Sequence, residues 1–433
     1  MPLASLAYDD TSEEEEDSEY ERIALAGLAV AFACAEEARI SRAERRQPGR
    51  HHLRRPQLLP NPRSNTPWQA LYESRDDRAY ITTMGINVDT FHYILNHGFA
   101  HEWNHNAIPR SDTNPDGLAR LGRRSLDAAG ALGLVYHYLS SAMPDDALQQ
   151  IFALVPSTIS RYRSWALKLL LQVLRRIPPS RIVWWKDEEE CAEDNALIRA
   201  RHPLLTGAIG SVDGLNLLTA VSDDPEIENA SYNGWLHGHY TSCVLVFSPR
   251  GMIKEAVLNA PGSWHDAKIA RPVYELLHHH TPDGYYLVAD TAFPRGTRSI
   301  AGRIQAPLKA NAALPLDAVE REGLLARNRQ LLSYRQTAEW GMRQLRAGFG
   351  RLRLPLDIND ADGRSELLEV CVRSVNLRAE RVGISEIRNV YMRIWEEAED
   401  ADIWNDFENV LFGEIRRRDR VSRFHRVAQE QVV

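Results

Sequence analysis

Between Pro67 and about Arg181, apolar residues recur three and four apart, which predicts helices. The stretch SLDAAGALGLVYHYLSS (125–141) keeps that spacing, and DDALQQIF (145–152) opens with acids directly after Pro144, a favourable helix start. ALVPSTISRYRSWALKLLLQVLRR (153–176) follows, a long amphipathic run that begins at Pro156 or Ser157. A short helix, a tight turn and a helix opening with Ser, Thr and Arg is the helix-turn-helix plan. It would set Ser157, Thr158, Ser160, Arg161 and Arg163 near the amino end that enters a DNA major groove. Ordinary helix pairs share this pattern, so spacing alone leaves both readings open.

The texture changes after an acidic spacer at 187–194. LTGAIGSVDGLNLLTAV (205–221) reads as a strand with Asp213 in its middle. YTSCVLVFSPRGMIKEAVLNAPG (240–262) reads as two strands joined by a turn at SPRG. HDAKIARPVYELLHHH (265–280) is helical in pattern, and its terminal histidines, with no carboxylate beside them, read as a solvated helix end. GYYLVAD (284–290) is the next strand; a loop-rich stretch separates it from a strong helix, LSYRQTAEWGMRQLRAGFGRL (332–352). Strands mixed with helices in this order predict an α/β or α+β domain on a mixed sheet, behind an all-α region. The expected divisions are 1–66, 67–186, 200–380 and a helical, basic tail at 381–433.

Composition sharpens the ends more than the middle. Of 433 residues, 44% are hydrophobic and 26% charged, which is ordinary for a soluble protein. The net charge of -7 comes from the N-terminus: residues 9–21 hold nine acids and no base, and without them 52 bases face 50 acids, or +2. Residues 1–21 are expected to be disordered and 22–38 to form an Ala-rich helix. Basic clusters at 45–56 and 416–426 suit a nuclear import signal, and a solvated linker equally well. Cys34, Cys191, Cys243 and Cys371 form no CxxC pair, which points to a reducing compartment and no zinc knuckle. The longest apolar run, 23–35, is too short to span a bilayer, so an intracellular protein is expected.

Two carboxylates interrupt core strands. Asp213 lies between Val212 and Gly214, and Asp290 ends the apolar run in LVADTAFP (287–294). A buried carboxylate needs hydrogen bonds, a counter-charge or a metal, and an Asp that merely starts a turn is the plain alternative at 290. Glu339 is a third acid on the 332–352 helix, with Arg335 and Arg343 four residues to either side. Acids of this kind suit Mg²⁺ or Mn²⁺, and an ion pair ammonium-or-guanidinium to carboxylate along the helix is the plain reading of Glu339.

GSVDGLNL, NAPGSWHDAKIA, LVADTAFP and YRQTAEWGMRQLRAGFGRL stand in the order and spacing of PIF/Harbinger-type transposases and their domesticated nuclease relatives, which this sequence resembles over about 120–380. The interval from Asp290 to Glu339, 49 residues (339 − 290), is close to that family's usual gap. The resemblance implies an RNase H-like catalytic domain in which Asp213, Asp290 and Glu339 form the acidic triad, binding two Mg²⁺ or Mn²⁺ ions. It implies that a metal, rather than a turn, fixes Asp290. His265 and Asp266 belong to the family's GSWHD signature; His265 would position a phosphate or water, and capping the following helix is the plain role for Asp266. Arg335, Arg343 and Arg346 would meet DNA. Ala292 replaces a usual Gly, Phe293 a usual Tyr, and Arg346 keeps the charge of a usual Lys. The implied function is metal-dependent DNA endonuclease or transposase in the nucleus, with DNA, a separate Myb/SANT-like protein and further copies of itself as the partners to expect. A domesticated DNA-binding or scaffold protein that no longer cuts is the alternative.

Overall fold

The structure, a computed structural model, describes residues 53–109, 117, 119–293, 300, 302–309 and 312–392. The acidic segment, the Ala-rich helix, most of the first basic cluster, Pro294 and the basic tail all lie outside these residues. Everything below concerns the second of two compact units, Arg55–Val433.

Its helical region comprises α1 (Pro67–Ser74), α2 (Asp77–Met84), α3 (Val88–Ile94), α4 (Ala100–His105), α5 (Ala128–Ser140), α6 (Asp145–Phe152) and α7 (Pro156–Arg176). Side chains that prefer the position before a helix start four of them: Thr66, Asp76, Asn87 and Asp127 each accept a hydrogen bond from a first-turn backbone N–H. Every residue of α5 from Ala128 to Leu139 is buried, as expected for a helix that is apolar all round. Around it pack α2, α6 and α7.

A helix, α8 (Glu188–Arg201), then leads into the sheet. The acidic stretch at 187–194 is therefore not a spacer. Asp187 caps α8 by accepting from Glu190 N at 3.0 Å, and Glu188, Glu189 and Glu190 fill the first turn, where the helix dipole favours negative charge. The elements that follow are β1 (Ala208–Leu218), α9 (Pro225–Ser231), β2 (Tyr232–Asn233), β3 (Gly238–Phe247) and β4 (Ile253–Pro261). Next come α10 (Asp266–Ile269), α11 (Arg271–His279), β5 (Tyr286–Val288), β6 (Ile304–Gln305), α12 (Ala318–Gly348), α13 (Ala361–Leu377) and α14 (Glu386–Tyr391). Two expectations shift. β5 stops at Val288, so Asp290 lies just beyond the strand. The helix expected at 332–352 starts earlier, at Ala318, because Asp317 caps it by accepting from Glu320 N at 2.8 Å.

The sheet runs β4-β3-β1-β5-β6, with the short β2 pairing the start of β3. β1, β3 and β4 are antiparallel neighbours, and β5 and β6 join in parallel on the other side of β1. This mixed order, with helices on both faces, is an RNase H-like architecture and agrees with the expected fold class. Alternation along β1 sorts its side chains. Val212 joins Val244, Val246, Val273 and Leu287 on the face covered by α10 and α11. Leu215 and Leu217 join Leu245, Phe247 and Val288 on the face covered by α12 and α13.

α12 lies close to the sheet for two reasons. Ser211 Oγ on β1 and Thr337 Oγ1 on α12 are 2.6 Å apart in a buried contact. Gly341 lies where any Cβ would enter the Phe247 ring, so the helix accepts a glycine costing about 1 kcal/mol in propensity in exchange for close approach. Tyr334, Ala338, Gly341 and Leu345, spaced four, three and four apart, form the buried seam. That seam fixes which face of α12 looks into the end of the sheet.

Candidate active site

The β1–β5 register decides where the acids go. Ser211 pairs with Val288 in parallel, and Asp213 and Asp290 are each two residues further along. Successive residues alternate faces, so Asp213, in the middle of β1, shares the α12 face with Ser211, Leu215 and Leu217, while Asp290 follows the end of β5 at Val288. They feel one another. Burial first, and then the charges of Asp290 and Asp266, push the Asp213 carboxyl up to about 6, against the opposing pull of the Gly214 N–H and of Arg335.

Each of the two acids also serves its own backbone. Gly214 N donates to Asp213 Oδ1 at 2.8 Å. Ala292 N donates to Asp290 Oδ1 at 2.7 Å, the Asx turn that was the plain alternative at this position. A turn thus holds one oxygen of Asp290 where its strand has ended.

Asp266 reaches the site from the other face. A Cβ at Gly214 would collide with the Asp266 carboxylate, so the missing side chain is what admits it beside β1. Burial, followed by Asp290, raises the Asp266 carboxyl, while His265 opposes the rise. Asp266 does not cap the helix it begins. The cap position is His265, which makes no side-chain capping bond and is exposed.

Glu339 comes from α12 and is half-exposed. Arg335 Nη2 donates to its Oε1 at 2.9 Å, the i,i+4 ion pair expected as its plain role. Arg343 lies 4.0 Å from Glu386 and stays largely exposed, as does Arg346. An open cleft of about 800 Å³ is lined by Asp213, Asn216, Leu236, Tyr240, Glu339, Arg343, Arg346 and Arg353. Asp213 and Glu339 therefore share one cleft, whereas Asp290 and Asp266 lie outside its lining. Among the described residues no group of three His, Cys, Asp or Glu is drawn close enough to hold an ion. Tyr240, Asn216 and Arg353 are not singled out by the sequence; β3 brings in Tyr240, the turn after α12 Arg353, and β1 Asn216, three residues beyond Asp213 in GSVDGLNL.

Residues 212–376 match the family described as DDE superfamily endonuclease. The chain carries a DDE endonuclease domain. Neither a curated protein nor a solved structure matches the chain at a significant level. The endonuclease domain starts beside Asp213 and ends at Asn376, so it contains all three candidate triad acids, His265 and Asp266 but none of α6 or α7. Its family implies a nucleic-acid substrate and generally uses divalent metals. No helix among the described residues is long and apolar enough to cross a membrane. Cys191, Cys243 and Cys371 are buried and unbridged.

The helix pair expected as a helix-turn-helix, α6 and α7, lies outside the matched residues. α6 ends at Ala153 in a left-handed turn (φ 51°), and α7 begins with Pro156 at its first turn. Ser157 and Ser160 are exposed, and Thr158 and Arg161 half-buried. Arg163 is already engaged: Nη1 bonds Asp145 Oδ1 at 2.8 Å and its guanidinium sits 4.5 Å from the Tyr138 ring centroid. Nε of Arg161 has no hydrogen-bond partner.

The raised Asp213 carboxyl has a measurable consequence in metal-free protein. Its folded value of about 6 exceeds its ordinary 3.8, so stability falls as pH rises between those values, and the loss is complete above them. With chelator present at neutral pH, Asp213→Asn should therefore be more stable than wild type, by ~2 kcal/mol, and the gap should close near pH 4. Thermal melts across pH measure this. An Asp213→Asn protein that melts below wild type at neutral pH would contradict the placement of Asp213 among the other acids.

Proposed function

We propose that the chain is a metal-dependent DNA endonuclease or transposase of the PIF/Harbinger type, in which Asp213, Asp290 and Glu339 carry the chemistry. The observation that supports the reading is the β1–β5 register, which pairs Ser211 with Val288, each two residues before an acid, beside a cleft that Asp213 and Glu339 both line. The donor set suits Mg²⁺ or Mn²⁺: Asp213 and Asp290 each commit Oδ1 to a backbone N–H, leaving Oδ2 for a hard cation. Glu339 fits once it releases Arg335. Two divalent ions at such a site supply activation of water and stabilisation of the leaving oxygen in phosphodiester cleavage.

The remaining roles belong to the chain itself. Arg343 and Arg346, on the exposed side of α12 at the cleft, would receive the DNA backbone, with Arg335 beside them. His265, exposed before α10, is available to orient a phosphate or water, and Asp266 tunes Asp213 across β1. On α7, Ser157, Thr158, Ser160 and Arg161 form the DNA-facing set, and Arg163 holds α7 to α6. A nuclear location, a Myb/SANT-like partner and self-association are part of the same proposal and rest on the resemblance alone. A second reading, a DNA-binding protein that no longer cuts, draws on two observations: Glu339 is paired with Arg335, and no three ligands converge among the described residues.

Plasmid nicking in Mg²⁺ or Mn²⁺ separates the two. Wild type should nick supercoiled DNA, and Asp290→Asn should not. Glu339→Gln should lose orders of magnitude in rate while its melting temperature barely moves, because an exposed i,i+4 ion pair is worth only ~0.3–0.5 kcal/mol. Glu339→Gln nicking at the wild-type rate would remove Glu339 from the triad. A wild type that binds DNA without nicking would favour the second reading.

The helix-turn-helix makes its own prediction. Arg161→Ala should weaken DNA binding and lower the slope of log affinity against log salt by about one, the signature of a single lost phosphate contact. An unchanged slope would return α7 to a purely structural role.

A further inference from the structure

The four-residue connection between β2 and β3, Gly234–His237, places two large apolar side chains in solvent, Trp235 and, next to it in sequence, Leu236, which lines the cleft. Trp235 leaves 81% of its surface exposed and Leu236 47%. A tryptophan held so far into water, beside a second apolar side chain, marks a contact surface rather than a core residue. The tip is held in shape as well. Asn233 Oδ1 accepts from Trp235 N at 3.0 Å and Leu236 N at 3.1 Å, and Asn233 Nδ2 donates to Gly262 O at 2.9 Å. His237 completes the turn in a left-handed conformation, φ 50°. The ring therefore projects from a braced turn and is tied to the GSWHD loop that carries His265.

The cleft beside this turn decides the ligand. Leu236 and Tyr240, from the same hairpin, line the cleft together with Asp213 and Glu339, and Arg343 and Arg346 stand on the α12 side. One wall is thus apolar and aromatic and the other cationic. A peptide or second copy docking by apolar contact alone would leave those guanidiniums unanswered. A nucleic-acid strand answers both, with phosphates toward arginine and a π-face toward tryptophan. A fully paired duplex hides its base faces within the stack, so the ring suits a base that has left it.

We propose that Trp235 stacks on an unpaired nucleobase of DNA whose backbone is held by Arg343 and Arg346, keeping the strand open beside the phosphate to be cut. This rests on the nuclease reading of the cleft and adds a preference for DNA with a locally unpaired strand. Trp235 is a positioning residue: it touches a neighbouring base and acts on the reaction through strand placement.

The test uses the full chain with chelator present, so that binding is read without cutting. The probes are a fully paired duplex and a forked duplex of the same sequence whose unpaired arm carries 2-aminopurine. Wild type should bind the forked DNA about ten-fold more tightly than the paired one and quench the aminopurine, as one base–aromatic stack allows. Trp235→Ala should lose both the preference and the quenching, and Trp235→Phe should keep most of each. Both variants should melt like wild type, since the ring is exposed. A Trp235→Ala protein that keeps the wild-type preference and quenching overturns the stacking and leaves the nuclease reading untouched. A wild type that binds neither DNA overturns instead the cleft as a nucleic-acid site, on which the proposal stands.

Discussion

Backbone pairing of Ser211 with Val288 brings the carboxyl end of β5 to the middle of β1, and so Asp290 toward Asp213. Two like charges would otherwise separate, so the sheet must be stiff enough to hold them. That stiffness comes from the apolar layers on both faces of β1, Val212 and its neighbours under α11 on one side and Leu215, Leu217 and Phe247 under α12 on the other. Burial first, and the charge of Asp290 after it, raise the Asp213 carboxyl in this setting.

α12 supplies what the sheet cannot. Its seam against β1 and β3 depends on Gly341 lying flat on Phe247 and on the Ser211–Thr337 contact, and these fix the azimuth at which Glu339, Arg343 and Arg346 leave the helix. Acidic and basic groups thus line one cleft from a rigid element, which suits precise positioning better than a loop would. The ion pair between Arg335 and Glu339 keeps the third acid at the rim, while Asp266 presses in from the opposite face through the gap left by Gly214.

Much of this was legible in the residues. Periodicity located α5, α7, β1, β3 and β4, because long runs with one buried face obey the helical or strand period without help from distant contacts. The acids themselves stood out because each breaks an apolar strand. Capping was harder to read: Asp317 and Asp187 begin helices within stretches that composition marks as loop or spacer. The true end of β5 depends on its pairing partners, so the sequence pattern carries that strand on to Asp290 and leaves the turn there as an alternative. Which face Asp266 occupies follows from sheet alternation and from Gly214 together, and neither is visible in the GSWHD motif alone. Tyr240 and Trp235 carry no local signal because only the β2–β3 hairpin delivers Tyr240 to the cleft and Trp235 to the turn beside it.

The central claim is that strand register gives Asp213 and Asp290 a common ligand, and a crystal of the protein grown with Mn²⁺ tests it most directly. Anomalous scattering should place an ion between the two carboxylates, bound through the oxygens not used by Gly214 N and Ala292 N. Mn²⁺ found elsewhere on the protein, with those carboxylates still adjacent and unligated, would contradict the account.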